Sequence, residues 1–236
     1  MIIVSDNSTE MDVVLTAMSV VLVADSNNPT IINPDFLASN GILVEDLQLR
    51  EPPITTPVFS QVIYQGGISI KAEPNRVIFE QVATGNALET GDIVSPQMAE
   101  RYLEKMPHVP YSAIGINPKG IRYMADGKKE KLSLGLVNGG DWTSFRDLTP
   151  EIQLKAIYQY EKRQINLDIA EAKRQDTHNN EVFGLAFLAN IHREIEQTPQ
   201  KQRISELKSI IDSWEDDLAD FFAIIQKFDF HRFTQS

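Results

Sequence analysis

The sequence predicts an α+β fold in which helices cover a mainly antiparallel sheet. Apolar and polar residues alternate over residues 59–81 and again over 165–192, which is typical of paired strands with one buried face. A 3.6-residue period replaces this alternation near residues 95–106 and over 200–228, as amphipathic helices require. Because strands followed by a helix occur twice in this order, we expect helices that pack on a sheet.

The first predicted strand covers residues 12–24, with the sequence DVVLTAMSVVLVA. Both of its alternating faces are apolar, so we expect it in the centre of the sheet, covered on both sides. A short helix follows, with Asn33 as N-cap, Pro34 at its first position and Gly41 at its end. Three prolines between residues 52 and 57 then exclude regular helix and predict an extended connection.

Residues 59–81 are expected to form a three-stranded meander. Gly66 and Gly67 supply the positive φ that a tight hairpin turn needs. Pro74 and Asn75 fit the centre of a second turn. Two turns at this spacing connect three strands in sequence order.

The helix near residues 95–106 has Ser95 as predicted N-cap and Pro96 at its first position. Residues 149–163 fit two structures, because a Thr-Pro-Glu start is typical of a helix while the later alternation is typical of a strand. We favour a helix there. A long hairpin over residues 165–192 follows.

Residues 200–228 carry an apolar seam with steps of three and four residues. Taken alone, the seam is typical of a two-stranded coiled coil. Ile210, Phe222 and Ile224 widen it at positions where such a coil carries charges, so packing on the protein's own sheet is favoured. The seam consists of Ile204, Leu207, Ile211, Trp214, Leu218, Phe221, Ile225 and Phe228.

The chain is expected to form one interlocked domain over residues 1–236. The repeated order of elements also fits two sheet-plus-helix halves, residues 1–128 and 129–236. No flexible linker composition separates these halves, which favours the single domain.

Charge and composition exclude several classes of partner. The chain has 33 acidic and 22 basic residues and a net charge of −11, so it repels nucleic acid, and its one basic cluster, residues 128–131, lacks interleaved aromatics. It contains no cysteine, which fits a cytoplasmic protein without disulfides. The first 28 residues have no basic leader and no apolar run long enough to span a membrane, so we expect no export signal and no membrane contact.

Familiar catalytic and cofactor motifs are missing from the sequence. It has no G-x-S-x-G, no G-x-x-x-x-G-K-[ST], no G-x-G-x-x-G and no H-E-x-x-H. The four histidines occur singly, without a helical ligand spacing. We therefore expect no catalytic residues, no bound metal and no cofactor, and a non-enzymatic interaction or assembly protein is favoured.

The predicted partner-binding residues are Phe228, Phe230 and Phe233. Three aromatic rings in the last nine residues are costly to leave in water, so we expect them at a protein interface, most simply in a homodimer. The alternative is a tail that folds onto the protein's own hairpin.

An enzyme or ligand-binding protein with an acidic site in its loops is the competing hypothesis. The stretch Gly139, Gly140, Asp141 and Trp142 follows an apolar run and offers backbone amides and a carboxylate, although a turn with a packed Trp is simpler. Asp176 and His178, with nearby Glu181, offer oxygen and imidazole ligands, although a polar hairpin tip selects the same residue types.

Overall fold

The computed structural model contains nine strands and four α-helices in the residues that it describes. These residues are 13–44, 47–85, 87–123, 136–137, 140–144, 146, 148, 150–175, 179, 181–196 and 198–228. The strands are β1 (Val14–Ala24), β2 (Ile54–Thr55), β3 (Ser60–Ile63), β4 (Ile68–Glu73), β5 (Arg76–Val82), β6 (Tyr111–Tyr123), β7 (Leu154–Tyr160), β8 (Arg163–Gln175) and β9 (Glu181–Glu194). The helices are α1 (Pro34–Ser39), α2 (Ser95–Lys105), α3 (Gln200–Asp212) and α4 (Trp214–Ile225).

All nine strands belong to one sheet, and every neighbouring pair is antiparallel. The strand order is β2-β3-β4-β5-β1-β6-β9-β8-β7. A mixed α+β fold that is mainly antiparallel sheet is thereby confirmed. β6 pairs with β1 on one side and with β9 on the other, so the sheet is continuous from the first predicted half into the second.

The turns of the first half follow the predicted residue types. β3, β4 and β5 pair in sequence order as a meander. Gly66 and Gly67 have φ of 79° and 78° before β4, where a residue with a Cβ would be strained. Asn33 caps α1, because its side-chain oxygen accepts a hydrogen bond of 2.9 Å from the Phe36 N–H. Gly41, at φ 63°, follows the end of α1.

Two of the helices contact the sheet through aromatic rings. Tyr102 of α2 packs against Phe79 of β5, with ring centroids 5.4 Å apart. The Phe221 ring of α4 lies against the backbone of Gly120 in β6, where a Cβ would come within 3.3 Å of it. The C-terminal seam is therefore buried within the protein, as the width of its apolar stripe predicted. Its fully buried members are Leu207, Ile211, Leu218, Phe221 and Ile225.

Three local predictions were wrong. The stretch favoured as a helix over 149–163 contains strand β7, because its alternating apolar residues pair with β8. The C-terminal helix is interrupted at Ser213, which separates α3 from α4. Ser95 does not cap α2: it is the first helical residue, and its buried hydroxyl donates to the Met18 carbonyl at 3.4 Å instead.

The sheet face opposite these helices carries a row of amide side chains. Gln164 donates to Asn166 at 2.8 Å, Asn166 to Asn190 at 3.3 Å, and Asn190 to Asn117 at 2.8 Å. The row crosses β8, β9 and β6 at positions that the strand register places side by side. These side-chain bonds join the C-terminal hairpin to the centre of the sheet in addition to its backbone ladder.

Candidate interaction surface

β7 is the outermost strand at one end of the sheet. It pairs with β8 along its whole length, from Leu154 opposite Ile169 to Tyr160 opposite Arg163. In the part of the chain that the structure describes, no strand pairs with the outer side of β7. An edge of this kind presents a row of backbone N–H and C=O groups to which another strand can bond.

The side chains of β7 are unusually apolar for an exposed strand. Ile157 is 59% exposed and Tyr160 is 61% exposed, while Tyr158 is 41% exposed. Leu154 and Ala156 are half-buried and pack against the core, so they hold the strand in place. Large apolar side chains exposed on both faces of an edge strand mark a surface suited to binding another chain.

The hairpin turn determines which backbone groups of β7 point outward. Glu161 and Lys162 form a two-residue loop, so the flanking pair Tyr160 and Arg163 is a hydrogen-bonded pair. Bonded and non-bonded pairs alternate along an antiparallel ladder, so the even-numbered residues of β7 bond to β8. The odd-numbered residues Lys155, Ile157 and Gln159 therefore direct their N–H and C=O groups to the open side.

A buried ionic cluster fixes the hairpin that supports β7. Asp217 of α4 is fully buried and accepts two hydrogen bonds from the Arg193 guanidinium, at 2.8 and 2.6 Å. Arg163 at the start of β8 donates to Asp217 at 2.9 Å and to Asp220 at 2.5 Å. Burial alone would lower the pKa of Arg163, but its bonds to Asp220 and Asp217 outweigh burial and raise it. Arg163 is therefore held as a cation against α4.

This cluster makes the position of β7 depend on α4. Removing one partner of a buried ion pair leaves the other charge without compensation, which is costly. The two arginines lie on β8 and β9, and Asp217 bridges them from the helix. The Arg163 guanidinium also lies 5.5 Å from the centre of the Tyr160 ring, so it contacts the last residue of β7. The edge strand is thus linked to α4 through this cluster.

An acidic cleft of about 390 Å³ lies beside the β7–β8 turn, at residues that no sequence motif had indicated. Lys162 and Glu196 form an ion pair of 2.9 Å at its rim. Their hydrogen bond raises the pKa of Lys162 and lowers that of Glu196, so both are charged at neutral pH. The cleft is lined by Gln159, Glu161, Lys162, Gln164, His192, Glu194 and Glu196.

Of the three C-terminal phenylalanines, the structure describes one. Phe228 is half-buried, and its ring packs against Phe187 of β9 with centroids 6.0 Å apart. Part of this ring is therefore in contact with the protein's own hairpin. Phe230 and Phe233 lie outside the described residues. Their predicted role at an interface stays a prediction.

The predicted ligand-binding residues are only partly described. Gly140 precedes a 3₁₀ turn over Asp141–Thr143, in which the Thr143 N–H donates to the Gly140 carbonyl at 2.9 Å. The Trp142 ring lies close above Gly140, although the side chain is 54% exposed. This is a local turn, and the structure brings no other predicted site residue to it. Gly139, Asp176, His178 and the basic cluster at 128–131 lie outside the described residues.

Within the described ranges, no three or more His, Cys, Asp or Glu side chains are grouped so that they could hold a metal ion. None of the helices described is both long and apolar enough to cross a membrane. No family model matches the chain, and no curated protein matches its sequence.

The residues of the candidate surface were missed because 149–163 was interpreted as a helix. The signal that identifies them was present in the alternation of Leu154, Ala156, Tyr158 and Tyr160. What the sequence did not show was that β7 ends the sheet. Edge position depends on which strands pair, and that depends on the whole topology.

Proposed function

We propose that the protein is a non-enzymatic interaction or assembly protein of the cytoplasm that acts by binding another protein or a copy of itself. The open edge of β7, with Ile157, Tyr158 and Tyr160 exposed along it, is the observation that supports this proposal. Strand addition at an edge gains affinity from backbone hydrogen bonds and specificity from alternate side chains.

The charge distribution supports a protein partner at this edge. The chain as a whole carries a net charge of −11, but Lys155 is the only charged residue of β7. A partner strand therefore meets an apolar and nearly neutral surface, and does not have to overcome the acidity of the rest of the molecule. The exposed tyrosines add large contact area with few rotatable bonds, which is why such rings are common at interfaces.

Two matched variants test the proposal. Ile157→Lys places a charge on the open edge, whereas Ile54→Lys places the same charge on β2, at the other edge of the sheet. Both isoleucines are exposed, at 59% and 48%, so neither change removes a buried side chain. The wild type and both variants are used to capture proteins from the native cells. Each captured protein, and the chain itself, is then purified and titrated against all three forms.

We expect at least one protein, or the chain itself, to bind the wild type and Ile54→Lys with equal affinity and Ile157→Lys at least about tenfold more weakly. The proposal fails if every binding partner binds Ile157→Lys as tightly as it binds the wild type. It also fails if no partner is found and the chain does not bind itself.

The C-terminal phenylalanines are tested separately by deleting residues 229–236. Loss of binding after the deletion supports an interface role for Phe230 and Phe233, which the deletion removes together with the rest of the tail. Unchanged binding, with Ile157→Lys still disruptive, assigns the interface to β7 alone. A melting curve of the truncated protein checks that the deletion leaves the fold intact.

A small-ligand site is the second candidate function, and the acidic cleft beside the β7–β8 turn favours it. Its three glutamates, Glu161, Glu194 and Glu196, suit a cationic ligand. To test this, the melting temperature of the protein is measured in the presence of each member of a panel of small cations. A shift that is lost in Glu194→Gln but kept in the exposed Glu51→Gln supports a site, and no shift with any member of the panel removes the candidate.

A further inference from the structure

We propose that the partner of β7 is β7 of a second copy, paired antiparallel about a two-fold axis that passes through Ile157. This inference rests on the proposed function and names the partner. In such a dimer the nine-stranded sheet continues through both copies, and the two open edges close each other.

The backbone of β7 fits this axis. Lys155, Ile157 and Gln159 direct their N–H and C=O groups outward, as the turn at Glu161 and Lys162 determines. A two-fold axis at Ile157 places Ile157 opposite its own copy and Lys155 opposite Gln159 of the second copy. Residues whose backbone groups point outward in one copy therefore lie opposite residues of the same kind in the other copy. About six backbone hydrogen bonds form between the two chains.

The side chains of β7 are self-complementary about the same axis. On the helix-bearing face, Leu154 lies opposite Tyr160 of the second copy and Ala156 lies opposite Tyr158. These are the close, non-hydrogen-bonded pairs, so the exposed tyrosine rings are covered by aliphatic side chains. On the other face, the two copies of Ile157 meet between uncharged Gln159 and Lys155. No like charges face each other anywhere along the strand.

Other registers of the same strand are less favourable. An axis at Lys155 places the two Lys155 ammonium groups opposite each other, which is destabilising. An axis at Gln159 pairs only a short segment, because the chain turns away at Glu161. A parallel arrangement in register stacks Lys155 on Lys155, which is destabilising. Of the axes that pass through an outward-directed residue, only the one at Ile157 pairs the whole of LKAIYQY without opposed like charges.

Lys155 also has a compensating charge within its own chain. Its ammonium lies 3.9 Å from Asp168 of β8, on the face away from the helices. The β7 surface of each copy therefore carries no uncompensated charge, although the molecule as a whole has a net charge of −11. The repulsion between two acidic copies acts at longer range and is screened by salt, so we expect the dimer to strengthen as ionic strength rises.

Single cysteine substitutions test the register, because the chain contains no cysteine of its own. In a hydrogen-bonded antiparallel pair the Cα atoms are about 5.5 Å apart, which a disulfide can bridge. Ile157→Cys is therefore expected to form a disulfide-linked dimer by itself. Lys155→Cys and Gln159→Cys are expected to cross-link when mixed, but not alone, because like positions are about 14 Å apart along the strand.

The measurements use the full chain, oxidised in a glutathione buffer and separated on a non-reducing gel. Ile54→Cys, on the opposite edge and similarly exposed, controls for random collisions. Light scattering of the wild type at roughly 50 µM is expected to give a dimer mass, and Ile157→Lys to raise the dimer dissociation constant at least about tenfold.

Each other outcome overturns the inference. Cross-linking of Lys155→Cys or Gln159→Cys alone, without a product from the mixture, shows a different register. A dimer that survives Ile157→Lys shows that the copies meet elsewhere. A monomer at 50 µM, without cross-linking of Ile157→Cys above the Ile54→Cys control, shows that β7 does not pair with itself. In that case the proposed function still holds if another protein binds the edge and Ile157→Lys weakens it.

Discussion

The two ends of the sheet are built differently. At one end, β2 consists of two residues, Ile54 and Thr55, and three prolines lie within three residues of it at Pro52, Pro53 and Pro57. At the other end, β7 is seven residues long and contains no proline. Proline lacks a backbone N–H, so the β2 end offers little for another strand to bond to, while the β7 end offers a complete ladder.

The protein thus protects one edge of the sheet, while among the described residues no strand covers the other. Short edge strands and nearby prolines are common means of preventing sheets from joining edge to edge. β7 lacks both, and instead carries Ile157, Tyr158 and Tyr160 in exposed positions. An exposed edge strand with these properties promotes aggregation unless a specific partner covers it, which is why we propose it as the interaction surface.

The buried polar groups at the two ends also differ. The β2 end buries the neutral phenol of Tyr64, next to β3, and raises its pKa to about 12 through loss of hydration. The β7 end buries the charged pair of Asp217 and Arg193 behind its hairpin. The two ends should therefore respond differently to substitution and to pH.

The largest effect is expected at the β7 end, from Asp217→Ala. Removing this fully buried carboxylate leaves Arg163 and Arg193 without their shared partner and should lower the free energy of unfolding by roughly 3–5 kcal/mol. Asp216→Ala, one residue away on an exposed position of the same helix turn, should cost less than about 1 kcal/mol. Urea unfolding measures both, and equal midpoints would show that the cluster does not support the hairpin.

Alkaline pH should destabilise the protein through the β2 end. The unfolded chain loses the Tyr64 proton near pH 10 and the folded chain near pH 12, so the stability from the neutral phenol is full below pH 10 and is lost as pH rises to 12. The loss should be roughly 1 kcal/mol between pH 10 and 11. Tyr64→Phe should remove this part of the pH dependence, which urea unfolding of the wild type and the variant at pH 10 and 11 measures.

Tyr64→Phe should also be tolerated at neutral pH. The buried Tyr64 hydroxyl has no hydrogen-bond partner among the described residues, so its removal takes away an unsatisfied polar group. A large loss of stability in this variant at pH 7 would contradict the assignment.

A smaller, stabilising effect is expected from Glu161→Gly in the turn that ends β7. Glu161 has φ of 44°, a left-handed conformation that costs energy for a residue with a Cβ. Glycine removes that cost, and the expected gain is about 0.5–1 kcal/mol in the free energy of unfolding. Lys162→Gly, at the other loop position and without positive φ, should give no gain. Thermal unfolding of both variants distinguishes strain at Glu161 from general tolerance of glycine in the loop.

The smallest effect is expected from Glu80→Gln on β5, in the β2 half of the sheet. Burial alone would raise the pKa of Glu80, but hydrogen bonds and charges from Lys71 and Lys119, at 2.7 and 3.3 Å, lower it. The stability from this carboxylate is therefore full above about pH 4.5 and is lost as pH falls through the lower folded value. The substitution should cost less than about 1 kcal/mol at pH 7 and less still at pH 3. The exposed Glu51→Gln is the control.

The sequence predicted those parts of the fold whose causes are local. The period-two alternation identified β3, β4, β5, β8 and β9, and the residue types at Gly66, Gly67 and Asn33 identified turns and a cap. These features depend on φ preferences and on hydrogen bonds over two or three residues, which neighbouring residues decide. Among the candidate site residues, by contrast, the structure describes Phe228 and the turn at Gly140. It does not bring either of them together with the other predicted sites.

The pattern of residues was enough to predict an α+β fold with a mainly antiparallel sheet, and a C-terminal apolar stripe wide enough to bury against the protein's own core. The folded chain was needed to choose a strand over a helix at residues 154–160, to show that this strand ends the sheet, and to show that Asp217 meets Arg163 and Arg193. These features depend on residues that are far apart along the chain. A residue's edge position, its exposure and its ion-pair partners depend on segments tens of residues away, and local propensity carries no information about them.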